Sequence, residues 1–305
     1  MSRPHCPKSH QIAKKALAEK VRTLRRHVRA ASAHSVDGIH DLRVASRRLR
    51  AVLSDYASNY RKSALRPFRK RVKDITRGLG TARELDVSLG LLRTWRKKLP
   101  ARCHPAVSAL QRHLRKLRNA ESPRVDESCT IVRSTGFNDT LDALVASMKH
   151  PRKCQLKLSE RTISKRWRKL HATFDLWQTD SSDANLHEVR IAFKQLRYSC
   201  EIAESSYGAP MTQFIAHMKA AQESLGDWND VRVLRDYVHA ALPLMHKHEA
   251  ALSEVAAKLD AELLRLLNNF NKSANQWLSA DKPETVANIL SKPLKPCCSK
   301  QSKTD

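Results

Sequence analysis

The chain runs to 305 residues with 57 Lys plus Arg against 30 Asp plus Glu, a formal charge of +27 and a pI near 10.2. That excess goes well beyond what solubility asks of a domain, and it implies an anionic partner: nucleic acid, an anionic membrane surface, or an inorganic or organic polyphosphate. Hydrophobic residues are 41% of the chain, sufficient for one large or two medium domains, and no stretch of about 18 uncharged apolar residues exists to span a membrane.

Only seven glycines, long Leu/Ala/Arg/Lys tracts and few β-branched alternations predict an almost wholly helical, all-α fold. Residues 1–10 are polar and basic with no apolar h-region, so the chain is expected to be neither secreted nor membrane-inserted. The seven cysteines, Cys6, Cys103, Cys129, Cys154, Cys200, Cys297 and Cys298, lack Cys-x2-Cys spacing. They suggest reduced cytosolic thiols rather than a disulfide framework or a zinc site.

Helical periodicity runs over 12–29, 36–60, 65–95 and 105–132, with a short fifth segment over 137–148. Within this part 121–134 is polar and weakly periodic. A linker is expected over 150–158, around Pro151. The pattern then restarts over 163–177 and continues over 184–206, 211–241 and 246–277. After Ser279 the composition turns to Lys, Pro and Ser, so 281–305 is expected to be a disordered tail.

The second and seventh of these segments carry one pattern twice: His40, Arg43, Arg47 and Arg50, then His187, Arg190, Lys194 and Arg197, 147 residues on. On a helix the offsets 0, 3, 7 and 10 fall within about 80° of one another and span about 15 Å, the reach of several consecutive phosphates. Apolar residues occupy the opposite side, Leu42, Ala45, Leu49, Val52 and Leu53 in one copy and Val189, Ala192, Phe193, Leu196 and Cys200 in the other. A basic stripe on one amphipathic helix is usually a solvated face. Repetition of the same four offsets in both halves favours a binding face. Glu201 interrupts the second stripe where the first has Ser54, within reach of Arg197.

The duplication extends in both directions. Ser35 and Ser182 each precede the motif histidine by five residues, as helix N-caps would. Downstream, Lys73-x5-Leu79-Gly80-x2-Arg83-Glu84-x2-Val87 aligns with Lys219-x5-Leu225-Gly226-x2-Asn229-Asp230-x2-Val233 at an offset of 146. The shared Leu-Gly and the following acid read as structural, the glycine permitting close helix approach or a bend. Lys73 and Lys219 read as contributors to the charged surface. Two copies of about four helices predict two four-helix bundles related by an approximate two-fold, with a basic groove or channel between them.

The sequences 39–50 and 186–198, each followed by its Leu-Gly-acid element, resemble the CHAD domain, the conserved histidine α-helical domain, over roughly 9–280. The first repeat would cover 9–149 and the second 159–280. The resemblance implies two pseudo-symmetric helical bundles whose basic central surface binds inorganic polyphosphate, and association with polyphosphate granules in the bacterial cytoplasm. It places binding positions on His40, Arg43, Arg47, Arg50, His187, Arg190, Lys194 and Arg197, with Lys73, Arg83 and Lys219 in support. Gln195 stands where the first half has Arg48, and Asn229 where it has Arg83, so tighter binding is expected from the first half. The Glu-x-Glu-x-Lys signature of a fused triphosphate tunnel enzyme does not occur.

Nothing in the sequence points to catalysis, a cofactor or a metal. There is no Walker A loop and no His-Glu-x2-His. His40-Asp41 resembles a metal-binding dyad, but the arginines around it would disfavour a cation. Two other readings of the charge stay open: weak nonspecific nucleic-acid binding, against which stands an aromatic content of 5%, and a basic scaffold that docks acidic proteins.

Overall fold

A computed structural model describes residues 7–57, 60–148, 155–278 and 284–294. Among these residues the fold is all-α, as expected, with no strand. The first half contributes α1 (Pro7–Ser32), α2 (Val36–Asp55), α3 (Lys62–Gly78), α4 (Gly80–Arg96), α5 (His104–Ala120), α6 (Ser122–Arg133) and α7 (Thr135–Ala146). The second contributes α8 (Gln155–Thr179), α9 (Asp183–Tyr207), α10 (Ala209–Ala241), α11 (Glu249–Leu278) and α12 (Glu284–Ser291). Most of the expected 150–158 linker lies outside the described residues, and its last positions already belong to α8.

Both motif helices start where the serines predict. Ser35 accepts a hydrogen bond from the Gly38 N–H at 3.0 Å, and Ser182 accepts one from the Asn185 N–H at 3.3 Å. The entry to α2 is also tight: a Cβ on Gly38 would stand 2.4 Å from the Ala30 carbonyl carbon and 2.6 Å from the Ala31 nitrogen. The glycine thereby lets the start of α2 press onto the end of α1.

By the duplication offset, α1 and α2 correspond to α8 and α9, and the remaining correspondences expose a difference in continuity. Where the second half has the single helix α10, the first has α3 and α4, broken at Leu79 (φ −90°, ψ −4°). Where the second has α11, the first has α5 and α6, broken at Glu121 with Pro123 in the first turn of α6. The expected single helices over 65–95 and 105–132 are therefore each two, and the weakly periodic stretch 121–134 is largely α6, with Val125, Cys129 and Val132 buried. Close helix approach does not explain the paired glycines, because a Cβ on Gly80 or Gly226 would meet nothing within 4 Å. The helix is interrupted beside Gly80 and runs unbroken through Gly226.

The tail expectation is corrected in part. Val286 and Leu290 on α12 are buried, α12 packs on α8, and the Leu294 N–H donates to the Ser206 carbonyl at 2.9 Å. Their spacing of four matches Phe137 and Leu141 on α7, which packs on α1 in the same way. α12 thus packs on α8 as α7 packs on α1. Residues 295–305, with Cys297 and Cys298, lie outside the described residues.

Two hydrophobic cores form, but the halves of the sequence do not divide them as two independent bundles would. One core gathers α1, α2, α3, α6 and α7 around Leu17, Leu49, Phe68 and Phe137, whose rings stack at 5.2 Å. The other gathers α8 to α12 around Phe174, Trp177, Phe193 and Phe270, and it takes in α5 as well. α4 changes allegiance along its length: Ala82 belongs to the first core, Leu85 and Leu92 to the second. Packing of α2 on α9 and of α4 on α10 joins the halves.

Candidate functional site

The site grows from the contact between α2 and α9. Each helix buries its apolar face in its own core, Leu42, Ala45, Leu49, Val52 and Leu53 on α2 and Val189, Ala192, Phe193, Leu196 and Cys200 on α9. The opposite faces then turn toward the junction of the halves, with all eight motif side chains half-buried. Arg47 crosses the junction directly, its guanidinium donating to the Tyr198 hydroxyl at 2.6 Å.

Two motif residues from each half make one cationic cluster. Lys194 is desolvated and feels Arg190 from its own helix and Arg47 and Arg43 from the other, which together bring its pKa down from 10.5 to about 6. Burial likewise lowers Arg190, to about 10; Asp230 opposes that shift, while Arg47, Arg43 and Arg232 add to it. Arg43 is lowered by burial, then by Arg47 and Arg83, against Glu84. Each half thus repels the other's charges.

A histidine flanks the cluster on each helix. His40 is held below its ordinary pKa by burial first and then by Arg83, Arg47 and Arg43, with Asp41 opposing. His187 is lowered by burial, Arg190, Arg232 and Lys194, with Glu188 opposing. Arg83 therefore stands near His40 and Arg43. Arg232, one helical turn beyond Asn229, also acts on His187, although its guanidinium pairs with Asp236 at 2.7 Å and so replaces the cation that Asn229 lacks only in part. The acid of the Leu-Gly-acid element also faces the site, Glu84 toward Arg43 and Asp230 toward Arg190 and Lys194.

The far ends of the stripes differ. Arg50 is lowered by burial and then by Arg69 and Arg77 of α3 and by Arg47. Lys73, exposed on α3, falls between Arg69 and Arg77 at helical spacing and extends that basic ridge. Arg69 and Arg77 were not singled out from the sequence, although their spacing from Lys73 would have found them. At the other end Arg197 pairs with Glu201 at 3.3 Å, as the sequence suggested, and its guanidinium lies over the Tyr198 ring at 5.2 Å. Lys219 is exposed on α10 with Ile215 and Glu223 in place of the two arginines. It builds no such ridge.

The Arg48 to Gln195 difference does not bear on the cluster. Arg48 lines a separate groove of about 440 Å³ between α1, α2 and α9, beside Lys15, Glu19, Tyr198 and Glu201. Asp41 turns away to His27 Nδ1, 3.5 Å distant, rather than forming a dyad with His40. No group of three or more His, Cys, Asp or Glu that could hold a metal ion occurs among the described residues, and none of their helices is long and apolar enough to cross a membrane.

Of the arginine and lysine positions of the two stripes, only Arg197 forms an ion pair among the described residues. Arg43, Arg47, Arg50, Arg190 and Lys194 form no ion pair within 4 Å there, and the Nε atoms of Arg43 and Arg190 are buried without a hydrogen-bond partner. Half-buried cations that outnumber the facing acids, Glu84 and Asp230, and form no ion pair with them attract an anion with several charges.

A family model described as the CHAD domain matches residues 15–239. Among solved structures, the crystal structure of the CHAD domain from the plant Ricinus communis is similar at a TM-score of 0.61 and 19% identity, over 95% of this chain and 93% of that one. PptA from Streptomyces chartreusis is similar at a TM-score of 0.66 and 14% identity, over 87% of this chain and 98% of that one. No curated protein matches the sequence significantly.

Proposed function

The chain belongs to the CHAD domain family, and from that premise we propose that it binds inorganic polyphosphate, without catalysis, on the surface where the α2 and α9 stripes meet. One observation carries the reading. Arg43, Arg47, Arg190 and Lys194 converge from two helices with no acidic ion-pair partner among the described residues, an arrangement whose mutual repulsion a polyanion relieves. The ridge of Arg50, Arg69, Lys73 and Arg77 continues the charge past the cluster, so a flexible chain of phosphates gains contacts that a single phosphate cannot. His40 and His187 are donors at its edges, with Arg83 and Arg232 behind them.

The same reading places the protein at polyphosphate granules in the cytoplasm. Phosphoryl transfer would need carboxylates to hold a metal at the site. The acids that face it, Glu84 and Asp230, lie against arginines instead.

Calorimetric titration with polyphosphate of defined length tests the proposal. An Arg43→Ala, Arg190→Ala double variant is expected to lose about 100-fold or more in affinity, since each charge-assisted contact contributes roughly 1.5–3 kcal/mol. Unchanged affinity in a folded double variant would move polyphosphate binding elsewhere on the molecule.

A further inference from the structure

We propose that Asp55 is a positioning residue of the polyanion site: with Arg166 and Ser199 it pins α2 to α9, and so holds Arg43 and Arg47 within reach of the same bound chain as Arg190 and Lys194. This rests on the reading of the cluster as a polyphosphate site.

The four cations repel one another across the junction, and the apolar faces of α2 and α9 point away from it into separate cores. What joins the two helices, beside Ile202 and the Arg47–Tyr198 contact, is a network around Asp55. Arg166 of α8 reaches both carboxylate oxygens, Oδ2 at 3.2 Å, and its guanidinium also donates to the Gln195 carbonyl at 2.8 Å and touches the Ser199 hydroxyl. That hydroxyl donates to Asp55 Oδ2 at 2.6 Å. The pair is buried, its side chains 7% exposed at Asp55 and 15% at Arg166. The network thus grips α9 at Gln195 and Ser199, in the turn that follows Lys194.

Nothing in the local structure of α2 asks for this pair. Asp55 is the last residue of the helix, where the helix dipole disfavours an acid, and burying a carboxylate is costly unless it is paired and hydrogen-bonded. Nor does the duplicated scaffold ask for it. The buried residues Leu17, Val21, Leu24 and Ala31 of α1 match Ile163, Trp167, Leu170 and Trp177 of α8 at an offset of 146. At that offset Lys20 corresponds to Arg166, and at 147 Val52 corresponds to Ser199 and Ile202 to Asp55. Lys20, Val52 and Ile202 all line the open groove of about 440 Å³, so the fold does without the clamp on that side. On the other side the clamp opposes a repulsion that the cationic stripes themselves create.

The test titrates long-chain polyphosphate across a salt series into the native chain and Asp55→Asn, and into an Arg190→Ala, Lys194→Ala variant with and without Asp55→Asn; urea denaturation is followed for all four. Removing a negative charge near the site would by itself tighten polyanion binding, so positioning predicts the opposite sign. Folded Asp55→Asn should bind about tenfold more weakly, with a salt dependence lowered by about one or two as the α9 contacts drop out. Without Arg190 and Lys194 the same change should alter affinity by less than about two-fold. Should Asp55→Asn fail to fold, Arg166→Lys keeps the ion pair but not the fork that also reaches Gln195, and about threefold weaker binding is expected. Native or tighter binding in the folded variant, or an equal loss in both backgrounds, would overturn the proposal while the polyphosphate reading stands. If the native chain binds no polyphosphate, that reading fails. Positioning then stands if Asp55→Asn lowers the urea midpoint more in the native background than in the one lacking Arg190 and Lys194, where less repulsion is left to hold, and falls if the two drops are equal.

Discussion

Lys194 occupies the position that Arg47 fills in the first half, and the exchange sets how the site responds to pH. A lysine whose folded-state pKa is lowered from 10.5 to about 6 has lost a proton that the unfolded chain keeps. The free protein is therefore stabilised by this residue above pH 10.5, and the contribution is lost as pH falls toward 6. A bound polyanion restores the proton. His40 and His187, also held below their ordinary value of 6.5, respond in the same direction. Binding should take up protons, and affinity should rise as pH falls from 8 to 6 after correction for phosphate protonation. Calorimetry in buffers of different ionisation enthalpy measures that uptake. The Lys194→Arg variant should show a smaller uptake, and zero uptake in the native chain would remove Lys194 and the histidines from the site. Glu201 supplies a second test at this scale. Its contact with Arg197 is a partly exposed pair, so Glu201→Gln should leave the melting temperature almost unchanged. The same change should tighten polyphosphate binding a few-fold by freeing Arg197.

At the scale of elements, α12 gives the sharpest test of the fold. Leu290 is buried, and Leu290→Ala should cost about 2–3 kcal/mol in urea denaturation. A change below about 0.5 kcal/mol would mean that α12 does not contribute to the core. The helix was hidden in the sequence because eight residues between Lys/Pro/Ser-rich flanks give little periodicity. Its burial of Val286 and Leu290 and its packing on α8 emerge only in the folded chain. The motif helices were legible from end to end because cap, apolar face and basic face all agree within each of them. The breaks were legible only in part: Gly80 permits a bend and the period weakens after Glu121, but neither signal fixes where a helix ends. The partition of the cores was not legible, because it depends on α4 passing from one to the other. Spacing along one helix picked out eight stripe positions, which the structure sets half-buried on α2 and α9. Arg69 and Arg77 are legible from their spacing around Lys73, but that they reach Arg50, and that Arg232 reaches His187, depends on contacts across helices that spacing does not give. The lack of a basic residue at position 229 therefore overstated the weakness of the second half around His187, while Glu201 and Glu223 preserve the asymmetry at its far end.

For the whole molecule, the net charge of +27 guarantees some attraction to any polyanion, so affinity at low salt distinguishes nothing. What distinguishes the partners is the unpaired cationic cluster and the ridge that continues from it through Arg50. A narrow, flexible chain of phosphates can follow both, whereas a duplex presents its phosphates on a stiff, wide frame. Affinity should therefore grow with polyphosphate length until the chain spans cluster and ridge, and then level off apart from the statistical gain of longer chains. Neutralising the ridge in an Arg69→Gln, Arg77→Gln variant should weaken long chains by about tenfold while leaving the shortest ones within about two-fold, each lost phosphate contact also lowering the salt dependence by about one. The central claim is that this surface selects polyphosphate over other polyanions. Competition between long-chain polyphosphate and DNA or RNA, followed across a salt series through physiological ionic strength, tests it most directly. The account predicts that polyphosphate displaces the nucleic acid and that nucleic acid in excess does not displace polyphosphate. Equal displacement in both directions at physiological salt would contradict it.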